Sequence, residues 1–227
     1  MVNQLFPLIR KDWRLFRVPV LAVLILALMG YNVCFLLYRT DQRQFGQEAV
    51  LGQWWNQYMN DAAWFGLFTA VIMSAVFGGA AFATERRERW GDFLNLLPPG
   101  RALVIASKLL VSFATLAAIA AAHLLVLRMV GTLHHAGDWI GYMILGSGAA
   151  MLFGVSWMLS TVLRSASLSA SIAIALTIGA ALVVAMVGTA FDWKNDWGYT
   201  VFTVLSAVTG VVCFGAGTIY YLRRVEP

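Results

Sequence analysis

The sequence predicts an all-α integral membrane protein, and composition, long apolar runs and clustered charges support that fold class. Of the 227 residues, 60% are apolar and only 12% are charged, with a mean hydropathy of +0.75. A soluble domain has roughly a quarter of its residues charged, so this chain has too little polar surface to cover a globule in water. Most of the charges lie in clusters between apolar runs long enough to cross a bilayer. We therefore expect six transmembrane helices, an amphipathic interfacial helix before them, and both termini in the cytoplasm.

The first element is a basic amphipathic helix within residues 1–17. On a helical wheel its apolar face consists of Leu5, Phe6, Ile9, Trp13 and Phe16. The opposite face carries Arg10, Lys11, Arg14 and Arg17, and only Asp12 interrupts the pattern. Such a helix lies at the membrane interface with its cations near lipid phosphates. Two interpretations remain open: it anchors the first span, or it also docks a soluble partner.

A transmembrane domain over residues 18–227 follows, with six segments that are long and apolar enough to span a bilayer. They are residues 18–38, 62–83, 103–130, 139–163, 168–191 and 199–222. Backbone amides cannot remain unpaired in lipid, so each segment is predicted to be helical. The fourth and fifth segments are separated only by Arg164 and a few small residues, which predicts a tight hairpin.

The basic residues predict the orientation of these spans. With the N-terminus inside, the outer side keeps only Arg39, Arg43, Arg128 and Lys194. The cytoplasmic side collects Arg10, Lys11, Arg14, Arg17, Arg86, Arg87, Arg89, Arg101, Lys108, Arg164, Arg223 and Arg224. Membrane proteins keep Lys and Arg on the cytoplasmic side, so this arrangement is strongly favoured. An even number of spans then places the C-terminus in the cytoplasm as well.

The longest cytoplasmic connection, residues 84–101, has an unusual composition for a loop. A charged stretch leaves the second span, an apolar piece follows at residues 90–97, and Pro98, Pro99 and Gly100 end any helix there. Exposed apolar residues framed by charge are typical of a protein or membrane contact. The loop is therefore either a docking site for another protein or a second interfacial helix that rests on lipid.

This loop resembles the first cytoplasmic loop of ABC-2 type transporter permeases. The matching positions, in the family's order, are Glu85 or Glu88, Gly91, Leu94, Leu97-Pro98, Arg101 and Lys108. The amphipathic entry helix, the six spans and the position of the longest cytoplasmic loop also match that family. Asp92 departs from the usual Thr or Ser, and Pro99-Gly100 replaces the usual aliphatic residue and Ser or Thr.

The resemblance implies a mechanical role for the loop. In such permeases it contains a coupling helix that sits in a cleft of a separate ATP-binding subunit, which binds ATP and magnesium. The residues that match this role are Glu85, Glu88, Arg89, Trp90, Gly91, Asp92, Phe93, Leu94 and Leu97. It further implies an exporter in a bacterial cytoplasmic membrane, working as a dimer with a second copy or a related permease.

The chain itself is predicted to be non-enzymatic and to hold no cofactor or metal. A P-loop requires a Gly-Lys pair to hold phosphates, and the three lysines follow Arg10, Ser107 and Trp193. Cys34 and Cys213 lie in apolar stretches and predict neither a disulfide nor a zinc site.

Histidines and small residues allow more than one interpretation. A haem held by two histidines needs both inside the membrane, and only His123 lies there; His134 and His135 fall in an outer loop. We therefore expect His123 to bond a neighbouring helix. Small residues recur four apart at Gly146, Ala150 and Gly154 and at Gly66, Ala70 and Ser74. They can serve a subunit interface or packing within one chain.

Two other function classes remain as alternatives to an ABC permease. One is a membrane anchor or assembly subunit of an enzyme complex, which would bind no ATPase through residues 90–97. The other is an ion-gradient-driven transporter, which usually needs acidic residues within the membrane. Every Asp and Glu here lies at or outside the end of a predicted span, which disfavours that class.

Overall fold

The computed structural model describes residues 2–45, 51–87, 101–131, 138–190 and 195–223. Within these ranges the chain forms helices joined by short links. In chain order they are α1 (Val2–Phe45), α2 (Leu51–Arg87), α3 (Arg101–Val130), α4 (Asp138–Ser160), α5 (Ala166–Ala190) and α6 (Asn195–Arg223). All six of these helices are long and apolar enough to cross a membrane, so the predicted fold class and number of spans are confirmed.

Each helix corresponds to one predicted span, although α4 ends at Ser160 and not at the predicted residue 163. Two helices begin much earlier than hydropathy indicates. The second span was expected from residue 62, whereas α2 begins at Leu51. Its first three turns carry Gln, Asn and Trp, which lower the mean hydropathy without preventing a helix. Hydropathy therefore locates the part of a helix that lies in lipid, not the whole helix.

The predicted interfacial helix and the first span form one element. Helix α1 continues from Val2 to Phe45 without a break at residue 18, although Pro7 and Pro19 both lie inside it. A proline in a helix interior has no N–H to donate to the carbonyl four residues earlier, and it favours a bend. At Pro19 the carbonyl left without its usual donor is that of Leu15.

Helices α2 and α4 form the centre of the bundle. In the most apolar window of each helix, 67% of α2 and 56% of α4 is buried within the chain, against 11% to 17% for the other four. Their aromatic side chains dominate the largest core cluster, which includes Phe77, Phe82, Phe153 and Trp157. The other four helices surround this pair and present exposed aliphatic residues on their outer faces.

The predicted hairpin between the fourth and fifth spans is present. Helix α4 ends at Ser160 and α5 begins at Ala166. The amides of Thr161 and Val162 bond the carbonyls of Met158 and Leu159 and tighten the last turn of α4. The Ser165 hydroxyl accepts from the amide of Leu168 at 3.3 Å and caps α5.

Close backbone approach joins α4 to α6 and α2. A Cβ on Gly154 would collide with the carbonyl of Gly210, and a Cβ on Gly210 would collide with the carbonyl of Ala150. Between α2 and α4, the Ser74 hydroxyl donates to the carbonyl of Ala149 at 3.0 Å. For the small residues of α4, the sequence left open a subunit interface or packing within one chain. Ala150 and Gly154 pack within the chain.

Candidate functional site

A buried ion pair joins α1 to the first turns of α3. The Lys108 Nζ lies 3.5 Å from one carboxylate oxygen of Asp12, and the two side chains are 1% and 2% exposed. The Ser107 hydroxyl donates a 2.5 Å hydrogen bond to the other oxygen. We call the Asp12–Lys108 contact, with its bonded Ser107 hydroxyl, the α1–α3 ion pair. Burying either charge alone is costly, so the opposite charge and the hydroxyl make each tolerable at this position.

Aromatic rings extend this contact to the other helices. Lys108 Nζ lies 5.5 Å from the centre of the Phe82 ring on α2, within cation–π range. Phe82 stacks on Tyr221 of α6 with ring centres 4.3 Å apart. It also meets Trp157 of α4 edge to face at 4.8 Å. The ion pair therefore contacts the central helices through a continuous set of packed side chains.

The beginning of α3 is also attached to the end of α6. Arg101, the first residue of α3, donates from its guanidinium to the carbonyls of Tyr221 and Leu222 at 3.4 and 3.3 Å. These carbonyls belong to the last turn of α6, where they lack partners within the helix. Helix α3 is thus attached to α6 at Arg101 and to α1 at Lys108. Both attachments lie in its first turns, which follow residues 88–100.

The predicted coupling residues lie in or beside that segment. Glu88, Arg89, Trp90, Gly91, Asp92, Phe93, Leu94 and Leu97 fall outside the described residues. Glu85 belongs to the last turn of α2, but its side chain also falls outside the described part. Their proposed contacts with an ATP-binding subunit stay a prediction, and the neighbouring α2 and α3 supply the structural context.

The residues predicted for the entry helix divide between two environments. Arg10, Trp13, Arg14 and Arg17 are exposed, as a membrane-facing surface requires, whereas the Leu5 side chain lies outside the described part. Ile9 is partly buried against the core. Phe16, expected on the lipid-facing side, is 1% exposed instead and meets Phe77 edge to face at 5.1 Å. Helix α1 packs on α2 through this ring.

Asp12 is the functional candidate that sequence reasoning missed. It was noted only as the residue that interrupts the amphipathic pattern. A usable signal exists, because an acid on an otherwise basic helix and a lysine inside an apolar run each need a partner of opposite charge once they are buried. Lys108 was counted among the family positions, but its partner could not be named without the three-dimensional arrangement.

A second polar contact joins α1 to α3 farther along both helices. The Tyr31 hydroxyl and the Nδ1 atom of His123 are 3.1 Å apart, and Tyr58 of α2 donates to the Tyr31 carbonyl at 3.1 Å. A Cβ on Gly66 would collide with the His123 ring, so this ring packs directly against the backbone of α2. The expectation that His123 bonds a neighbouring helix is confirmed. His134 and His135 lie outside the described residues.

No described group of three or more His, Cys, Asp or Glu residues is placed to hold a metal ion. The Asp12–Lys108 and Tyr31–His123 contacts each join α1 to α3.

Comparison with known proteins supplies one match. The family model described as "ABC-2 family transporter protein" matches residues 56–219, which cover most of α2 and all of α3, α4 and α5 as well as most of α6. No curated protein and no solved structure matches the chain.

Proposed function

The chain belongs to the ABC-2 family of transporter proteins, and we propose that it is a permease subunit that couples ATP hydrolysis by a separate subunit to export. It is a multi-pass membrane component of an ABC transporter, with six membrane-length helices. The proposal adds to this the ATPase partner, the route of coupling and the direction of transport.

The observation that carries the proposal is the attachment of α3 directly after residues 88–100. Arg101 bonds the end of α6, and Lys108 pairs with Asp12 of α1. Coupling between distant sites needs a continuous set of packed and hydrogen-bonded groups. A displacement of the segment would therefore move α3 together with α1 and α6.

The proposed partner is an ABC ATP-binding subunit that supplies the nucleotide site. ATP and magnesium would bind there, since no Gly-Lys pair occurs in this sequence. Phe93 and Leu94 supply apolar anchors, and neighbouring charges supply the polar rim that interface cores typically have. A second copy or a related permease would complete the transporter in a bacterial cytoplasmic membrane.

Co-purification of the intact chain in mild detergent tests the proposal. The wild type is expected to bring down a P-loop ATPase from its native membrane. Phe93→Asp combined with Leu94→Asp is expected to lose it, because two carboxylates would have to enter an apolar cleft.

A matched control places two aspartates in another connection, His134→Asp combined with His135→Asp, between α3 and α4. This control should retain the ATPase. If the wild type captures none, the proposed coupling role is abandoned and a membrane anchor becomes the favoured function. If the Phe93 and Leu94 variant retains the ATPase while inserting normally, residues 88–97 are not the docking site.

A further inference from the structure

An apolar groove lies between α1 and α3, bounded by the two polar contacts described above. Its volume is about 520 Å³, within the range of roughly 300–1,000 Å³ of small-molecule sites. The residues that line it on α1 are Ile9, Trp13, Val20 and Leu24; on α3 they are Leu110, Val111, Ala114, Thr115, Ala118, Ile119 and Ala122. Its polar groups are the Thr115 hydroxyl and the indole N–H of Trp13, and the remaining lining side chains are aliphatic.

The groove exists because the two helices contact at both ends and have small residues between. Asp12 reaches Ser107 at one end, and Tyr31 reaches His123 at the other. Along the intervening stretch, α3 presents three exposed alanines at a spacing of four, at positions 114, 118 and 122. On α1, Pro19 precedes the groove-lining Val20 and favours a bend of this helix.

The length of the groove suits one acyl chain. Its lining on α3 runs from Leu110 to Ala122, about 18 Å at a rise of 1.5 Å per residue. The hydrocarbon of one membrane leaflet is about 15 Å thick. A chain in this groove therefore spans roughly the leaflet that meets the N-terminal part of α1.

Exposed arginines lie beside the groove on the N-terminal part of α1. Arg10 and Arg17 are exposed and lie three residues before and four residues after Trp13, so they form the edge of the basic face that adjoins this groove-lining ring. The carboxylate of Asp12 points away from them into its contact with Lys108. Arginine next to an interfacial tryptophan is suited to a lipid phosphate.

From these observations we infer that the α1–α3 groove binds an anionic glycerophospholipid, with one acyl chain between the helices and its phosphate at Arg10 and Arg17. This binding site is independent of the ATPase partner. The bound lipid fills the space that the two helices leave between their two polar contacts.

Native mass spectrometry of the full chain in mild detergent tests this, using phosphatidylglycerol and phosphatidylcholine with identical acyl chains. The wild type should retain phosphatidylglycerol more strongly. Each basic residue near a membrane surface adds about 1 kcal/mol, or roughly fivefold in affinity. Arg10→Gln combined with Arg17→Gln should therefore lower phosphatidylglycerol affinity by about 25-fold and abolish the preference. The control, Arg128→Gln combined with Arg164→Gln, removes two exposed arginines elsewhere and should change neither affinity.

The groove is tested separately by Ala118→Phe, which should lower the affinity for both lipids, whereas Ala185→Phe on the exposed face of α5 should not. Ala118→Leu serves if the phenylalanine variant does not purify as a monodisperse protein. Equal retention of both lipids by the wild type overturns the inference. So does undiminished phosphatidylglycerol binding in the groove variants, which would leave only a headgroup contact at the surface.

Discussion

At the scale of single residues, the α1–α3 ion pair is the contact whose loss should be most damaging. We expect Asp12→Asn or Lys108→Met alone to lower the free energy of unfolding by about 3–5 kcal/mol, because each leaves one buried charge without its partner. The double variant should be less destabilised than the sum of the single effects. Unfolding in mixed micelles, followed by circular dichroism, measures all three variants.

The double variant measures the interaction energy between Asp12 and Lys108. Residues in direct contact show non-additive energies, whereas independent residues add within about 0.5 kcal/mol. Strict additivity would therefore mean that Asp12 and Lys108 do not interact. Arg164→Gln is a suitable control, because this exposed side chain lies in the link between α4 and α5 and its loss should change stability by less than about 0.5 kcal/mol.

At the scale of helices, the tightest contact is the backbone approach of α4 and α6. Gly154→Ala should lower the free energy of unfolding by about 1–3 kcal/mol, because the added methyl meets a backbone carbonyl rather than a movable side chain. Gly146→Ala on the same helix is the control, since nothing lies within 4 Å of its added Cβ. Thermal denaturation in detergent compares the two. Equal stability of both variants would contradict the close approach.

The six spans could be predicted because apolar length alone identifies a membrane-crossing helix. The starts of α1 and α2 could not, because both helices extend into residues whose hydropathy is low while their helix propensity is ordinary. The sequence does not determine the role of Gly154, because a helix face of small residues has the same pattern whether its neighbour belongs to the same chain or to another.

The candidate site also contains one part that could be predicted from the sequence and one that could not. Residues 90–97 could be selected from local composition, since an apolar run bounded by charge and proline is visible in the sequence alone. The pairing of Asp12 with Lys108 depends on how α1 and α3 lie against each other, across 96 positions of chain. Periodicity indicates which face of a helix is polar, but it does not name the helix that meets it.

At the scale of the whole molecule, burial distinguishes two central helices from four peripheral ones. Helices α2 and α4 are mostly enclosed by the chain itself, whereas α1, α3, α5 and α6 leave most of their apolar surface exposed. In a membrane that surface faces lipid or another subunit. The buried centre and the N-terminal end of α3 are joined through Phe82, which contacts both Lys108 and Trp157.

The orientation of the whole bundle is testable by cysteine labelling in intact cells. In a background with Cys34→Ala and Cys213→Ala, we place single cysteines at Arg164 and Arg224 and, separately, at His134 and Lys194. The distribution of basic residues predicts that a membrane-impermeant maleimide labels the second pair only, and labels the first pair after permeabilisation. Both members of a pair must behave alike, because an even number of helices separates them. Labelling of one member without the other would contradict six spans, and labelling of Arg164→Cys and Arg224→Cys in sealed cells would reverse the orientation.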